Sequence, residues 1–284
     1  MPEVSMKSNN LAVPSGLEVA NFGAFTAKMT DFKRGGSSGL HLVFDFDRTL
    51  TIKKPGATDE VTTWHILRDH LPRAGQSDYM RLFDHYRKIE LSGKMTVHEA
   101  RAWWTSILQL FVAHRVNLGQ VESDFLARAT IRPGAAEVFE FCAARGMPTV
   151  ILSAGVREVF EIWCRNYDIH PDLVMSTGLR IDHDKAIVGW DENTLIHVLN
   201  KSEVSHAHFD SVKSRRDNAL VVGDSLDDAS MASGDRNVIR VRVLDLRQDE
   251  PAGEQEVSKT YARFDALIKD GTLYPLLRLL QLLA

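Results

Sequence analysis

Residues Leu42-Val43-Phe44-Asp45-Phe46-Asp47-Arg48-Thr49-Leu50-Thr51 run from an apolar segment through two carboxylates, two positions apart, into a hydroxyl-rich turn. Such a run reads as a buried strand that ends in a polar site. Side chains at i and i+2 of a strand share a face, so Asp45 and Asp47 are expected roughly 6–7 Å apart on one side, with Phe44 and Phe46 on the other. A gap of that size admits a phosphoryl group and a metal ion. Two aspartates crowded at the end of an apolar strand repel each other, and a hard cation such as Mg2+, which takes oxygen ligands, relieves that repulsion. Aspartate is also a competent nucleophile toward phosphorus. Taken alone, the stretch equally fits an ordinary strand whose acids are solvated or form Asx-turns, so the rest of the chain decides.

A chain of 284 residues has room for one large α/β domain, or a domain with an insertion. Its net charge of -4 weighs against binding a nucleic-acid polymer, so an anionic ligand needs local positive charge. The two cysteines, Cys142 and Cys164, lack metal-type spacing and argue against a disulfide framework; both read as packing residues in a reducing compartment. Met1 to Ser15 is polar, without the apolar run of a signal peptide, and no segment is apolar for long enough to span a bilayer. The expectation is a cytoplasmic protein with no membrane partner.

Residues 1–34 read as an N-terminal segment, disordered to about Gly16 and with a short helix between Leu17 and Arg34. After the Asp45 strand, Lys53-Lys54-Pro55-Gly56 breaks the pattern, and no convincing strand follows until about Thr130. Val61, Trp64, Ile66 and Leu67 mark one amphipathic helix, and Tyr79, Leu82, Phe83, Tyr86 and Ile89 a second. Thr96-Val97-His98-Glu99 is a capping box opening a third, with Trp103, Trp104, Ile107, Leu108, Phe111 and Val112 at helical spacing. Residues 56–130 are therefore expected to form a helical cap inserted into an α/β core made of 35–55 and 131–284.

From Pro133 the alternation resumes, with a helix to Arg145, a strand Thr149 to Leu152, and a helix after Ser153-Ala154-Gly155. Short strands at Leu173–Met175 and Ala186–Gly189 flank a turn at Asp182-His183-Asp184, and Lys201 opens a further helix. Strands at 218–222 and 238–243 follow, then a polar linker from Asp245 to Gln255 and two helices. Strands separated by helices imply a parallel, Rossmann-like sheet with right-handed crossovers.

Open α/β sheets bind ligands beyond the carboxyl ends of their strands, and the informative motifs fall there. Ser153-Ala154-Gly155 puts a hydroxyl at a strand end and small residues before a helix, where free N–H groups attract phosphate, although a serine there is also the usual N-cap. A fixed cation at Lys201 would stabilise charge that Mg2+ leaves unneutralised. Asp224, at the tip of Leu220-Val221-Val222, supplies a third carboxylate, and Asp228, one helical turn on, a supporting one.

Asp45-Phe46-Asp47-Arg48-Thr49, Ser153, Lys201 and Gly223-Asp224-Ser225-Leu226-Asp227-Asp228, in that order, resemble the four motifs of the haloacid dehalogenase superfamily of phosphotransferases. Closer detail is similar to the cytosolic pyrimidine 5'-nucleotidase family: Ile89-Glu90 ahead of Met95-Thr96-Val97, Leu152-Ser153-Ala154-Gly155-Val156, and Leu195-Ile196-His197-Val198-Leu199-Asn200-Lys201. The similarity runs from about Phe32 to Gly234. The third cap helix departs from the family's charged and aromatic pattern, which leaves the base preference open.

The resemblance implies a Mg2+-dependent 5'-nucleotidase acting on pyrimidine nucleoside monophosphates. Asp45 would attack phosphorus, and Asp47 would protonate the leaving oxygen and then activate water. Mg2+ would be held by Asp45, the backbone carbonyl of Asp47, and Asp224, with Thr49 and Asp228 behind them. Ser153, Lys201 and the Ala154-Gly155 amides would hold the phosphate, and Glu90 would meet the base; beside the resemblance, the cap offers Trp103 or Trp104 as a ring on which a base could stack. The protein is expected to be a monomer or weak dimer. Other readings share these residues: a phosphatase for 7-methylguanosine monophosphate, a sugar phosphate or phosphoserine, a phosphotransferase, or a non-catalytic nucleotide-binding protein.

Overall fold

The computed structural model describes residues 12–57, 61–208, 216–232, 235–244 and 254–284. In chain order these form β1 (Leu17–Val19), α1 (Phe22–Gly35), β2 (Leu40–Phe44), β3 (Thr51–Lys53), α2 (Thr63–Asp69), α3 (Arg73–Leu91), α4 (Val97–Ala113), α5 (Leu118–Arg128), β4 (Ala129–Ile131), α6 (Ala135–Ala144), β5 (Thr149–Val156), α7 (Arg157–Tyr167), β6 (Leu173–Thr177), β7 (Leu179–Ile181), β8 (Ile187–Trp190), α8 (Lys201–His208), β9 (Asn218–Gly223), β10 (Asn237–Val243), α9 (Glu254–Arg263), β11 (Ala266–Ile268) and α10 (Tyr274–Leu283).

Seven strands make one sheet in the order β1-β11-β10-β9-β2-β5-β6. All neighbours are parallel except β1, which runs antiparallel to β11 at the edge. The central strands are apolar on both faces because helices cover both, the pattern of a parallel sheet: all five residues of β2 and all six of β9 are buried. The two faces are distinct. Leu42, Phe44, Leu220 and Val222 join one large core cluster, while Val43, Val150, Leu152 and Val221 form a smaller one on the opposite side. Phe44 stacks on Phe139 of α6, with ring centroids 5.2 Å apart, and Phe46 lies 4.1 Å from Phe160 and 5.2 Å from Trp163 of α7. These rings lock the strand that carries the two aspartates between two helices.

Four helices, α2 to α5, leave the sheet between β3 and β4, which pair antiparallel as a two-stranded neck with Thr51 opposite Ile131. The capping box at α4 forms: the Thr96 hydroxyl accepts from Glu99 N at 3.2 Å, and the Glu99 carboxylate accepts from Thr96 N at 2.8 Å. The helices bury Tyr79, Trp104, Ile107, Phe111 and Phe125 among themselves.

The expected mixed α/β fold with a parallel sheet and a helical cap is present, and its short strands account for the differences. The short helix expected between Leu17 and Arg34 runs from Phe22, capped by Asn21, and the residues before it, Leu17–Val19, form an edge strand held by Leu17↔Ile268 pairing. The neck strands β3 and β4 and the strand β11 carry three residues each, too few for a periodicity to register. The cap holds a fourth helix, α5, separated from α4 by Asn117, whose side chain accepts from the N–H groups of Gly119 and Gln120. Strand β5 runs on to Val156, so Ser153 to Gly155 lie within its end, where the pairing with β6 shifts register, and not on a helix N-terminus. Residues 1–11, residues 58–60 near the start of the cap and residues 245–253 of the polar stretch lie outside the described residues. Cys142 is buried, Cys164 is half-buried, and both are free thiols pushed up to about 12 by burial. No helix among the described residues is long and apolar enough to cross a membrane.

Candidate active site

The carboxyl ends of β2, β5 and β9 meet where the chain reverses its direction of winding, with β2 between the other two. Asp45 sits one residue past β2, its N–H still donating to Val222 O at 2.9 Å, so the sheet ladder fixes its backbone. Lys201, the first residue of α8, reaches beneath it. Its ammonium donates to Asp45 Oδ1 and to Asp228 Oδ1, each at 2.7 Å, and all three side chains are nearly inaccessible to solvent. Burial works against the charge on Lys201, but the carboxylates of Asp228 and Asp45 outweigh it and hold the ammonium charged. Asp45 itself is pushed up by burial and by Asp228, while Lys201 and the Ser153 hydroxyl draw it down.

Asp228 owes its place to Gly223. A side-chain carbon on that glycine would collide with the Asp228 carboxylate, so only glycine lets the turn after β9 fold back under the strand end. The second Asp228 oxygen accepts from Ser225 N at 2.9 Å. Asp224 lies between these groups and Arg48, whose Nε is 3.0 Å from Asp224 Oδ2, and the Thr49 hydroxyl is 3.5 Å from Oδ1. Burial, partly offset by Arg48, raises the Asp224 carboxyl to about 7, with Asp228 and Asp45 adding to the push.

Oxygens of Asp45, Asp224 and Asp228 all lie within 4.8 Å of one another. Three hard oxygen donors, two of them raised in pKa by burial and then by their neighbouring carboxylates, suit an oxygen-seeking divalent cation such as Mg2+. Asp228 is therefore nearer the carboxylate cluster than a purely supporting position implies, though both its oxygens are already committed to Lys201 and Ser225. The side chain of Asp47 is outside this cluster. It turns toward α2, where Oδ1 accepts from Thr63 N at 3.0 Å and Oδ2 from the Thr63 hydroxyl at 2.8 Å. Burial, and then the charge of Asp45, push the Asp47 carboxyl up to about 7 against the pull of Thr63.

A cavity of about 350 Å3 opens from these groups into the cap. Asp45, Asp47, Ser153, Lys201 and Asp224 line its sheet end, and Tyr79, Phe83, Arg87, Glu90, Trp103 and Ile107 its cap end. Glu90 is hydrogen-bonded to Arg87 one turn earlier on α3. The two tryptophans differ. Trp104 donates its indole N–H to Ala154 O at 3.0 Å, and Trp64 does so to the same oxygen at 3.1 Å. The Trp103 ring stacks on Tyr86 at 5.7 Å, and its indole N–H is buried without a hydrogen-bond partner among the described residues. Of the two small-residue amides expected to face phosphate, that of Gly155 donates to Ser153 Oγ at 3.3 Å.

Sequence reasoning missed four participants. Arg48 directly follows Asp47 and is a cation in a left-handed turn, φ 65°. Thr63 and Trp64 open α2, where the Thr62-Thr63 pair was the available signal. Arg132 had none. It is fully buried next to the neck, its guanidinium donating to Thr49 O at 2.6 Å, to Gly271 O at 2.7 Å and to Arg48 O, so it shapes the loop that follows Asp47.

Residues 50–284 match the family model described as pyrimidine 5'-nucleotidase (UMPH-1). Among curated proteins, the chain is 29% identical over 239 residues to 7-methylguanosine phosphate-specific 5'-nucleotidase A of Xenopus laevis, covering 78% of this chain and 81% of that one. It is 26% identical over 296 residues to a putative cytosolic 5'-nucleotidase 3 of Caenorhabditis elegans, covering 95% and 76%. Among solved structures, cytosolic 5'-nucleotidase IIIB bound to cytidine superposes with TM-score 0.78 at 24% identity, covering 95% of this chain and 93% of that one. A substrate-bound phosphoserine phosphatase superposes at 0.57 with 17% identity, over 84% and 97%. The fold is thus the one these haloacid dehalogenase-type phosphatases share.

Proposed function

The chain belongs to the pyrimidine 5'-nucleotidase family and is a phosphoric monoester hydrolase, and on that premise we propose that it hydrolyses nucleoside 5'-monophosphates with Mg2+ through an aspartyl-phosphate on Asp45. The observation that carries this reading is the buried Lys201 ammonium held 2.7 Å from both Asp45 and Asp228, beside a third carboxylate at Asp224. Such a group of charges is costly to bury unless it serves a charged ligand. Residues 56–130 act as a cap over a core made of 35–55 and 131–284.

In the first half-reaction an Asp45 oxygen attacks phosphorus, the bond to the 5'-oxygen breaks, and that oxygen takes a proton from Asp47. In the second, water attacks phosphorus and gives a proton to Asp47, the bond from phosphorus to the Asp45 oxygen breaks, and phosphate leaves with the Asp45 carboxylate restored. Ser153 and Lys201 hold the phosphate oxygens throughout. Asp45, Asp224 and the backbone carbonyl of Asp47 would hold Mg2+, which when bound would supply further positive charge to those oxygens. A phosphate-release screen over nucleoside monophosphates, sugar phosphates and phosphoamino acids tests this: a nucleotide should lead, and chelation of Mg2+ should remove the activity. A sugar phosphate or phosphoserine in first place would overturn the substrate class.

Glu90 selects the base from the cap end of the cavity. An ionised carboxylate only accepts, so it favours a base edge that donates, such as the amine of cytosine or the N1–H and amine of guanine, while the free Trp103 N–H suits a base carbonyl. The names of the relatives support 7-methylguanosine monophosphate as a second substrate, since a cationic purine also suits a pocket lined by aromatic rings. Glu90→Ala should cut catalytic efficiency on the best nucleotide by roughly 10- to 150-fold, the worth of a charge-assisted hydrogen bond, and leave a base-free phosphate nearly untouched. Equal losses on both substrates would return Glu90 to a purely structural role.

A further inference from the structure

We infer that Thr63 is the positioning residue for Asp47, and that docking of α2 on the Ser153–Gly155 segment is what presents it; this rests on the phosphatase reading above. Among the described residues, both hydrogen bonds that Asp47 accepts come from Thr63, one on each carboxylate oxygen, at 3.0 Å from its N–H and 2.8 Å from its hydroxyl. A carboxylate gripped at both oxygens can neither rotate about its last torsion nor swing out of plane, and one lone pair on each oxygen stays available to the reacting group. Asp47 has no strand ladder to hold it, since β2 ends at Phe44 and the chain turns into a left-handed conformation at Arg48. Its aim therefore comes from across the cavity.

Thr63 is itself fixed from the sheet side. It is fully buried, and its hydroxyl packs so closely on Gly155 that a side-chain carbon there would come within 2.6 Å of it. Its neighbour Trp64 on α2, and Trp104 on α4, both donate to Ala154 O, which uses the two lone pairs of one carbonyl to hold two cap helices. Docking of the cap, the place of Thr63 and the aim of Asp47 are thus one event. While the cap is docked, the Asp45 oxygen bonds to phosphorus, the electron pair of the breaking P–O bond goes to the 5'-oxygen, and the proton on Asp47 is aimed at that oxygen.

The test exploits the leaving group. A ribose 5'-alkoxide needs a proton to depart, whereas the phenolate of 4-nitrophenyl phosphate departs without one. Thr63→Val keeps the shape and the backbone N–H and loses the hydroxyl bond. It should lower kcat/KM by about 10- to 100-fold on the best nucleoside 5'-monophosphate and by less than about threefold on 4-nitrophenyl phosphate. Thr63→Ser should restore the nucleotide reaction, and Thr63→Ala serves as a second loss variant with the same pattern. Equal losses on the two substrates, no loss on either, or no rescue by serine would overturn the role of Thr63 while leaving the phosphatase reading intact. A wild type inactive on every monoester would overturn that reading, and this inference with it.

Discussion

Asp45→Asn is expected to abolish turnover, by on the order of 10^4-fold or more, while leaving the protein folded. The amide has the size of the carboxylate but no nucleophilic anion, so no aspartyl-phosphate can form. The fold should survive because the buried Lys201 keeps a carboxylate partner, Asp228, at 2.7 Å, and the asparagine carbonyl can still accept from its ammonium. Removing a lone partner of a buried charge would be far more damaging. Phosphate release and thermal unfolding measured on the same preparation check both halves. Substantial Mg2+-dependent turnover by a well-folded variant would remove Asp45 as nucleophile.

Asp47→Asn should lower turnover on nucleotides by at least ~100-fold, the usual contribution of a general acid-base group, with less effect on substrate binding. It should also change stability in the opposite sense. Burial and Asp45 hold the Asp47 carboxyl at about 7 in the folded protein, against ~3.9 when unfolded. Between those values the unfolded chain has given up this proton and the folded one has not, so the wild type loses stability as pH rises from about 4 to about 7. Asparagine carries no such proton and keeps that stability. In Mg2+-free buffer the variant's advantage in Tm should therefore grow across this window and level off above it. A rate unchanged where chemistry limits turnover would dispose of Asp47 as the acid, and a Tm difference flat in pH would dispose of the buried, raised carboxyl.

The sheet and the strand-end residues were legible because each signal is local. An apolar run of four or five residues announces a buried strand, and the polar residue that ends it is already at the sheet's carboxyl edge. Asp45, Ser153 and Asp224 could be read in that way, Lys201 and Asp228 from their order relative to those motifs, and all five lie together. Residues whose meaning depends on a distant partner left no such trace. Trp64 and Trp104 look like core positions of amphipathic helices, and only the folded chain brings both indole N–H groups to Ala154 O. Thr63 looks like part of a helix cap, yet its hydroxyl reaches Asp47. The three-residue strands β1, β3, β4 and β11 are shorter than any alternation can register, and their pairing is set by the elements on either side.

Arg132 carries a consequence for how the protein is made. Its guanidinium spans Arg48 O and Thr49 O on one side and Gly271 O on the other, and the last of these partners lies 139 positions further along the chain. Contacts of such sequence separation form late, because the loop they close must be ordered before they repay it. During synthesis, β2, β5 and β9 can have emerged from the ribosome, with every strand-end aspartate in place, while the arginine that shapes the loop after Asp47 still waits for its third acceptor. A nascent chain at that stage would carry the complete set of motifs and still lack the Gly271 carbonyl that helps hold the arginine against the loop after Asp47.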